Sequence, residues 1–278
     1  MSGPNIAYFI AYFSARLLRK RALAVAGPAP LVWTNAMQRR CLSCSILGAH
    51  FLTLRPKISG RQKRAAKLLA VSPPHYFSSQ TSLLDAAALR GSPSLPCTAR
   101  GKTLQFLSGA GVFSKNSLDE GSQLLIEELN LQSGAKFCDL GCGWGAVGAF
   151  VAADFPQAQV FAVDVNPRAA QLTKRNYELN RIENAVAWCG DGLSAVPDDF
   201  FDAVACNPPI RAGNAVIEKL FDDAYRTLKV GGALWVVIRT AQGAKSWQKK
   251  LAVQFGSCEL VEMRAGYRVM KSIKAGQK

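Results

Sequence analysis

Three glycines within seven residues constrain the fold of this chain more than any other feature. The segment is Asp139-Leu140-Gly141-Cys142-Gly143-Trp144-Gly145. It follows an apolar run at 136–140 with the length of a buried strand and precedes a segment at 146–153 that is typical of a helix. Glycine suits such a turn because it adopts positive φ and lets a ligand approach the main chain without meeting a Cβ. The segment therefore predicts a strand, a ligand-binding turn and a helix.

The glycine spacing is compatible with two cofactors, or with a tight turn that binds no ligand. The first two glycines and Ala146 match a dinucleotide fingerprint, with Asp164 about twenty residues further on for a ribose hydroxyl. However, Asp139 stands two residues before the first glycine and Gly145 opens the helix, which favours a cofactor with a charged amino acid end. S-adenosylmethionine has that end and NAD lacks it. We therefore predict that S-adenosylmethionine is bound by Asp139, Gly141, Gly143 and Gly145.

Strands and helices continue to alternate downstream. A strand at 159–163 ends at Asp164, and a helix at 167–180 leads to a strand at 185–189, just before Asp191. Ligands bind at the carboxyl edge of an open parallel sheet, so Asp164 is predicted to accept both ribose hydroxyls and Asp191 the adenine amino group. Alternatively, both aspartates are helix caps or solvated loop residues.

A rigid turn follows the next predicted strand, at 202–206. Its sequence is Asn207-Pro208-Pro209, and the two prolines remove backbone donors and stiffen the chain. The Asn207 side-chain oxygen and the Pro208 carbonyl can together accept both protons of an NH₂ group. We predict that Asn207 and Pro208 are catalytic and that Asn207 also borders the cofactor. An exit turn without chemistry is the alternative.

These motifs resemble the methyltransferase small domain family of class I S-adenosylmethionine-dependent methyltransferases, which includes bacterial 16S ribosomal RNA guanine-N2 methyltransferases. The resemblance covers 75–278, as a cap region at 75–130 and a Rossmann-like core at 131–278. Besides the glycine segment, the matching segments are His75-Tyr76-Phe77-Ser78, Gly101-Lys102-Thr103-Leu104-Gln105-Phe106, Gly111-Val112-Phe113-Ser114-Lys115, Asp119-Glu120-Gly121-Ser122 and Asn207-Pro208-Pro209-Ile210-Arg211-Ala212-Gly213.

The remaining segments complete an α/β prediction. We expect a Rossmann-like, doubly wound, seven-stranded sheet with an antiparallel last strand, which the resemblance also implies. Gly231-Gly232 is expected to end the helical unit before the next strand. The further predicted elements are helices at 119–129, 214–228 and 245–255, a strand at 233–238, a hairpin at 257–263 and 267–272, and a small strand pair at 103–107 and 111–114.

One residue departs from the motif of many amine methyltransferases. Those enzymes place Tyr or Phe after the second proline, where the ring stacks on the target base, whereas this chain has Ile210. Isoleucine can cover a base by apolar contact but gives up stacking worth about 1–3 kcal/mol per base. The predicted substrate-binding residues are Pro209, Ile210 and Arg211.

Three functions are compatible with these motifs. The resemblance favours methylation of the exocyclic N2 amine of a guanine in ribosomal RNA. A protein-glutamine or DNA-adenine N-methyltransferase would use the same Asn-Pro-Pro arrangement, usually with the missing aromatic residue and an added recognition domain. A cofactor-binding RNA assembly factor without transfer activity is the third possibility.

The charge of the chain is concentrated near its start. Residues 1–84 contain no Asp or Glu but twelve Lys and Arg, within a net charge of +15. We expect 1–74 to be a disordered basic leader that directs the protein to a mitochondrion or plastid, with a cytoplasmic location if it is not a transit sequence. An RNA-binding tail, a signal-peptide core or a true start at Met37 are alternatives.

No membrane anchor or metal site is predicted. The apolar stretch at 6–15 is too short to span a bilayer. Cys41 and Cys44 have the spacing of a zinc knuckle but lack a second pair of ligands.

The leader hypothesis predicts the location of a fluorescent reporter fused behind residues 1–74. We expect the reporter to accumulate in one organelle when imaged with organelle markers. A diffuse cytosolic signal would contradict the transit interpretation.

Overall fold

The structure is a computed structural model that describes residues 94–107 and 117–276. These residues belong to one compact unit, Pro73–Lys278. The leader at 1–74, the segment at 75–78 and the predicted strand at 111–114 lie outside the described residues. So do Cys41 and Cys44.

The described residues form nine strands and five α-helices. The strands are β1 (Leu95–Ala99), β2 (Lys102–Phe106), β3 (Lys136–Leu140), β4 (Gln159–Asp164), β5 (Ala185–Cys189), β6 (Phe201–Cys206), β7 (Leu228–Arg239), β8 (Glu259–Arg264) and β9 (Tyr267–Ile273). The helices are α1 (Glu120–Glu128), α2 (Ala146–Asp154), α3 (Pro167–Leu179), α4 (Asn214–Thr227) and α5 (Ala244–Phe255). Short 3₁₀ helices lie at Ile210–Ala212 and Thr240–Gln242.

Seven of these strands form one sheet in the order β5-β4-β3-β6-β7-β9-β8. The pairs from β5 to β7 are parallel, and β9 is antiparallel to both of its neighbours. The predicted doubly wound sheet with an antiparallel last strand is therefore confirmed. The strand order reverses between β3 and β6, and the crevice outside the carboxyl ends of strands at such a point is where open α/β sheets bind ligands.

Helices cover both faces of the sheet because the crossovers run in opposite directions. The connections β3-α2-β4 and β4-α3-β5 move one way along the sheet and β6-α4-β7 moves the other way, so right-handed crossovers place α4 on the face opposite α2 and α3. Phe106 of β2, Phe137 of β3 and Phe150 of α2 are fully buried in one hydrophobic core, to which α1 and α3 also contribute. Burial of one such side chain stabilises the fold by about 1.5–3 kcal/mol.

Most predicted elements are observed within one or two residues of their expected ends. The strands at 136–140 and 185–189 match fully, and the hairpin of β8 and β9 forms around Ala265 and Gly266. Among the residues that the structure describes, no helix is long and apolar enough to cross a membrane.

One predicted detail of the fold was wrong and one pairing was missed. The strand at 103–107 forms as β2 and pairs with β1, which the sequence pattern did not indicate, while its predicted partner at 111–114 lies outside the described residues. Gly231 and Gly232 do not end the helical unit before the strand, because β7 already begins at Leu228 and contains both glycines. They remain in the strand because Gly231 N donates to Lys274 O, 2.8 Å away, and Gly232 O accepts from Lys274 N at 2.9 Å.

The packing of α3 against α2 depends on a glycine inside α2. Gly148 N donates to Asp139 Oδ2 at 2.9 Å, and the buried hydroxyl of Tyr177 lies where a Cβ of residue 148 would be. That hydroxyl has no hydrogen-bond partner among the described residues. A glycine at 148 thus allows α3 to pack closely against α2 directly above Asp139.

We expect Gly148→Ala to destabilise the fold by about 1–3 kcal/mol, because the new methyl group overpacks the contact with Tyr177. Helix propensity alone would favour alanine by up to about 1 kcal/mol, so any loss of stability must come from the contact between the new methyl group and Tyr177. Tyr177→Phe should be neutral or stabilising and should restore most of the stability of Gly148→Ala. Urea unfolding of the two single variants and the double variant checks this. If Gly148→Ala lowers the free energy of unfolding equally in the presence and absence of Tyr177→Phe, the proposed contact between residues 148 and 177 is contradicted.

Candidate functional site

The glycine loop after β3 has the open geometry that a ligand needs. Gly141 and Gly143 have φ values of 77° and 56°, and a Cβ built on either residue would have no atom of residues 94–107 or 117–276 within 4 Å. The N–H groups of Gly141 and Cys142 both donate to Val163 O, at 2.9 and 3.0 Å, which holds the loop against β4. The loop is thus held on its sheet side, and on the opposite side no side chain of the described residues lies against Gly141 or Gly143, as the sequence predicts.

Asp164, the last residue of β4, ties the neighbouring strand end to this loop. Its Oδ2 accepts from Gly143 N at 2.9 Å, and its Oδ1 accepts from Asn166 N at 2.8 Å. Burial raises the pKa of Asp164 above its ordinary value, while these two N–H groups oppose the rise. Each carboxylate oxygen has a second lone pair, so the predicted bonds to ribose hydroxyls remain available.

Asp139 is a second buried carboxyl at the base of the loop. Only 4% of its surface is exposed, and its Oδ2 accepts a hydrogen bond from Gly148 N in the first turn of α2. Burial raises the pKa of Asp139 to about 7, Gly148 N–H opposes the rise and the negative charge of Asp164 adds to it. Two buried carboxyls whose charges repel each other favour a ligand with positive charge, because a nearby cation stabilises their ionised forms.

S-adenosylmethionine has the properties that this site favours in a ligand. Its sulfonium and amino groups are cationic and its ribose carries two hydroxyls, which match the two buried carboxyls. The side-chain-free face of Gly141 and Gly143 admits a ligand against the backbone. Among residues 94–107 and 117–276, no group of three His, Cys, Asp or Glu side chains could hold a metal ion.

Helix α3 holds the loop from the other side through two side chains that the sequence did not single out. Thr173 Oγ1 donates to Gly143 O at 3.0 Å, and its Cγ2 lies 2.5 Å from where a Cβ of Gly145 would be. Asn176 Nδ2 donates to Trp144 O at 2.9 Å. Asn176 also bonds both backbone groups of Leu107 at the end of β2. Both side chains are fully buried. The sequence pattern that could have identified them is a pair of uncharged polar residues, three positions apart, on the apolar face of α3.

The Asn-Pro-Pro turn begins beside the glycine loop. Leu140 of β3 pairs with Cys206 of β6, so the two loops leave the sheet side by side. Asn207 is half-buried, and its Nδ2 donates to Ser122 Oγ at 3.0 Å and to Asp119 Oδ1 at 3.3 Å. The structure thus brings the predicted amine-binding turn to the predicted cofactor loop.

The predicted substrate-binding residues follow directly. Pro208 is buried, Pro209 and Ile210 are half-buried, and Arg211 is exposed. Pro209 caps the 3₁₀ helix that contains Ile210 and Arg211. These three residues therefore border the outer side of the Asn207 turn.

Asp191 is not brought into the group of buried carboxyls. Its side chain is 73% exposed, and Oδ1 forms an ion pair with Lys219 Nζ of α4 at 2.9 Å. Its backbone oxygen also lies 3.4 Å from the same Lys219 nitrogen. The adenine-binding role of Asp191 stays a prediction.

The fold and the loop define a class I methyltransferase that uses S-adenosylmethionine. The model of the methyltransferase small domain family matches residues 103–271, and the chain belongs to this family. The match begins in β2 and ends in β9, so it contains the glycine loop, Asp164 and the Asn-Pro-Pro turn.

Two curated relatives and one solved structure illustrate the similarity. The uncharacterized protein YbxB of Bacillus subtilis is 39% identical over 179 residues, which are 63% of this chain and 88% of that protein. Ribosomal RNA large subunit methyltransferase G of Streptomyces avermitilis is 36% identical over 170 residues, 59% of this chain and 44% of that enzyme. The T. thermophilus 16S rRNA N2 G1207 methyltransferase RsmC, solved with AdoMet and guanosine, has a TM-score of 0.59 and 26% identity over 65% of this chain. The similarity spans only 50% of the T. thermophilus chain, so this chain covers half or less of the two ribosomal RNA enzymes.

The buried position of Asp139 predicts a pH dependence of stability. Its ordinary pKa is 3.8 and the folded value is about 7, so between these values the folded chain holds a proton that the unfolded chain releases. The free energy of unfolding without cofactor should therefore fall as pH rises from about 4 to about 7, by on the order of a few kcal/mol from this group.

Asp139→Asn removes this titration and should flatten the pH dependence, with a residual slope of the same sign from Asp164. Urea unfolding between about pH 4.5 and pH 8 measures the slope. The ion-paired, exposed Asp191 provides a control, since Asp191→Asn should leave most of the slope in place. An unchanged slope in Asp139→Asn would contradict the assignment.

Proposed function

We propose that this methyltransferase transfers the methyl group to the exocyclic N2 amine of a guanine in ribosomal RNA. The observation that carries the proposal is the orientation of Asn207 at the carboxyl end of β6. Its Nδ2 is bonded to Asp119 and Ser122, which leaves Oδ1 to accept from a substrate N–H. The names of the Streptomyces and T. thermophilus relatives support RNA as the acceptor, and the latter name supports guanine N2.

The residues of the site orient the acceptor. S-adenosylmethionine supplies an electrophilic methyl group on a positively charged sulfur. Asn207 Oδ1 and the Pro208 carbonyl accept the two N–H groups of a planar amine, which directs its lone pair away from them. The same two oxygens stabilise the positive charge that develops on nitrogen as the nitrogen–methyl bond forms and the methyl–sulfur bond breaks, which leaves the sulfur as a neutral thioether. The extra proton then leaves to water, so no side-chain base is needed.

Pro209, Ile210 and Arg211 border the place of the base. Pro209 and Ile210 offer half-buried apolar surface to one base face, and the exposed Arg211 can reach a phosphate. A base in structured RNA must leave its stack to enter such a site, so an exposed or easily unstacked guanine is the favoured target.

Transfer of tritium from labelled S-adenosylmethionine tests the acceptor. The full chain is incubated in parallel with unmodified ribosomal RNA, DNA and a protein extract, and labelled RNA is digested to nucleosides. We expect the label in RNA as N2-methylguanosine. Label in DNA or protein would overturn the proposed acceptor and leave the methyltransferase class intact.

Two variants separate alignment from cofactor binding in the same assay. Asn207→Ala should retain cofactor affinity within a few fold and lose at least roughly a hundredfold in transfer, because amine alignment is removed. Asp164→Ala should mainly weaken cofactor binding, measured by titration calorimetry. Normal turnover in Asn207→Ala would contradict the role of the Asn-Pro-Pro turn.

A further inference from the structure

The N-terminus of α1 is built around the side chain of Asn207. Asp119 is the N-cap residue, and its Oδ1 accepts from Ser122 N at 3.0 Å. The same oxygen lies 3.3 Å from Asn207 Nδ2, and Ser122 Oγ lies 3.0 Å from that nitrogen. One amide nitrogen of Asn207 therefore faces two oxygens of a different element, more than eighty residues away in the chain.

The chemistry of Asp119 decides which end of the Asn207 carboxamide faces α1. An ionised carboxylate only accepts hydrogen bonds, whereas the carboxamide has a donating and an accepting end. A reversed carboxamide would place Oδ1 of Asn207 against the Asp119 carboxylate, so that two acceptors face each other with no hydrogen between them. It would also break both hydrogen bonds that Nδ2 donates to Asp119 and Ser122, which is unfavourable. The amide nitrogen is therefore held against Asp119 and Ser122, and the oxygen is turned away from them.

Other contacts fix α1 in place without involving Asn207. A Cβ on Gly121 would lie 2.7 Å from Cε1 of the Tyr267 ring, so glycine lets the helix approach β9 closely. The Arg239 guanidinium lies over the Tyr267 ring, 4.8 Å from its centroid, and 3.7 Å from Glu120 Oε2. Ser122 is only 8% exposed. The two oxygens that face Asn207 are thus held by the packing of α1 on the sheet.

We infer that Asp119 and Ser122 are positioning residues that orient the Asn207 carboxamide so that it presents only its oxygen to the acceptor. This inference rests on the proposed transfer to an amine. The site then selects an acceptor atom that carries hydrogens, because such an atom donates to Oδ1. A carbonyl oxygen or a ring nitrogen without hydrogen would meet the lone pairs of Oδ1 and be repelled.

The variant Ser122→Ala tests this with the least damage to the helix. It removes the hydroxyl next to Asn207, while the cap is retained because Asp119 accepts from the backbone N of residue 122. We expect the single-turnover rate of transfer to ribosomal RNA to fall at least about tenfold, with the Kd for cofactor unchanged within about twofold. Ser122→Thr keeps a hydroxyl and should recover most of the rate. Gln123→Ala is the matched control, since Gln123 is in the first turn of α1 and its Nε2 donates to Glu127 Oε1 of the same helix.

A double-variant cycle distinguishes positioning from general structural damage. In an Asn207→Ala background the hydroxyl has no carboxamide to orient, so adding Ser122→Ala should not lower the rate further. A further fall of tenfold in that background, or an unchanged rate in Ser122→Ala alone, would overturn the inference.

NMR of the Asn207 side chain supplies a readout that needs no acceptor. In the wild type the Nδ2 protons should exchange slowly with solvent and show separate signals, and in Ser122→Ala their exchange should become at least about tenfold faster. Equal exchange in both proteins would overturn the orienting role. If no nucleic acid or protein is methylated by the wild type, the proposed function fails, and this measurement still decides whether Ser122 holds the carboxamide.

Discussion

The cofactor half of the site depends on the buried carboxylate of Asp164, which joins the ends of two strands and the start of a helix. It accepts from Gly143 N of the loop after β3 and from Asn166 N, the cap of α3. Helix α3 reaches back to the same loop through Thr173 and Asn176. A buried carboxylate is costly to desolvate, and bonds from two backbone N–H groups offset part of that cost. These hydrogen bonds hold the glycine loop against β4 and α3.

The acceptor half of the site depends on a different element. Helix α1 lies before the sheet in the chain, yet its first turn contacts the end of β6 through Asn207 and the end of β9 through Tyr267. The two halves meet because β3 and β6 are neighbours, with Leu140 paired to Cys206. The two loops are therefore held by different elements, the glycine loop by α3 and the side chain of Asn207 by the first turn of α1.

The strands and helices of the core could be predicted from sequence because their signals are local. Apolar runs of five or six residues, capping residues and a proline at a helix start mark β3 to β6 and α3 without reference to the rest of the chain. The pairing of β2 with β1 and the path of β7 through Gly231 were missed because they depend on hydrogen bonds between distant segments. Asp191 follows a strand as Asp164 does, but its ion pair with Lys219 depends on where α4 lies.

The sequence by itself determined the class of fold, the glycine loop and the turn at Asn207, because glycine and proline restrict the backbone at their own positions. Tertiary structure decided how these residues act. Only the packing shows that Thr173 and Asn176 hold the loop, and that Asp119 and Ser122 accept hydrogen bonds from the side-chain nitrogen of Asn207. A carboxamide carries a donor and an acceptor at its two ends, and its sequence position cannot say which of them faces the substrate; the groups that surround it do.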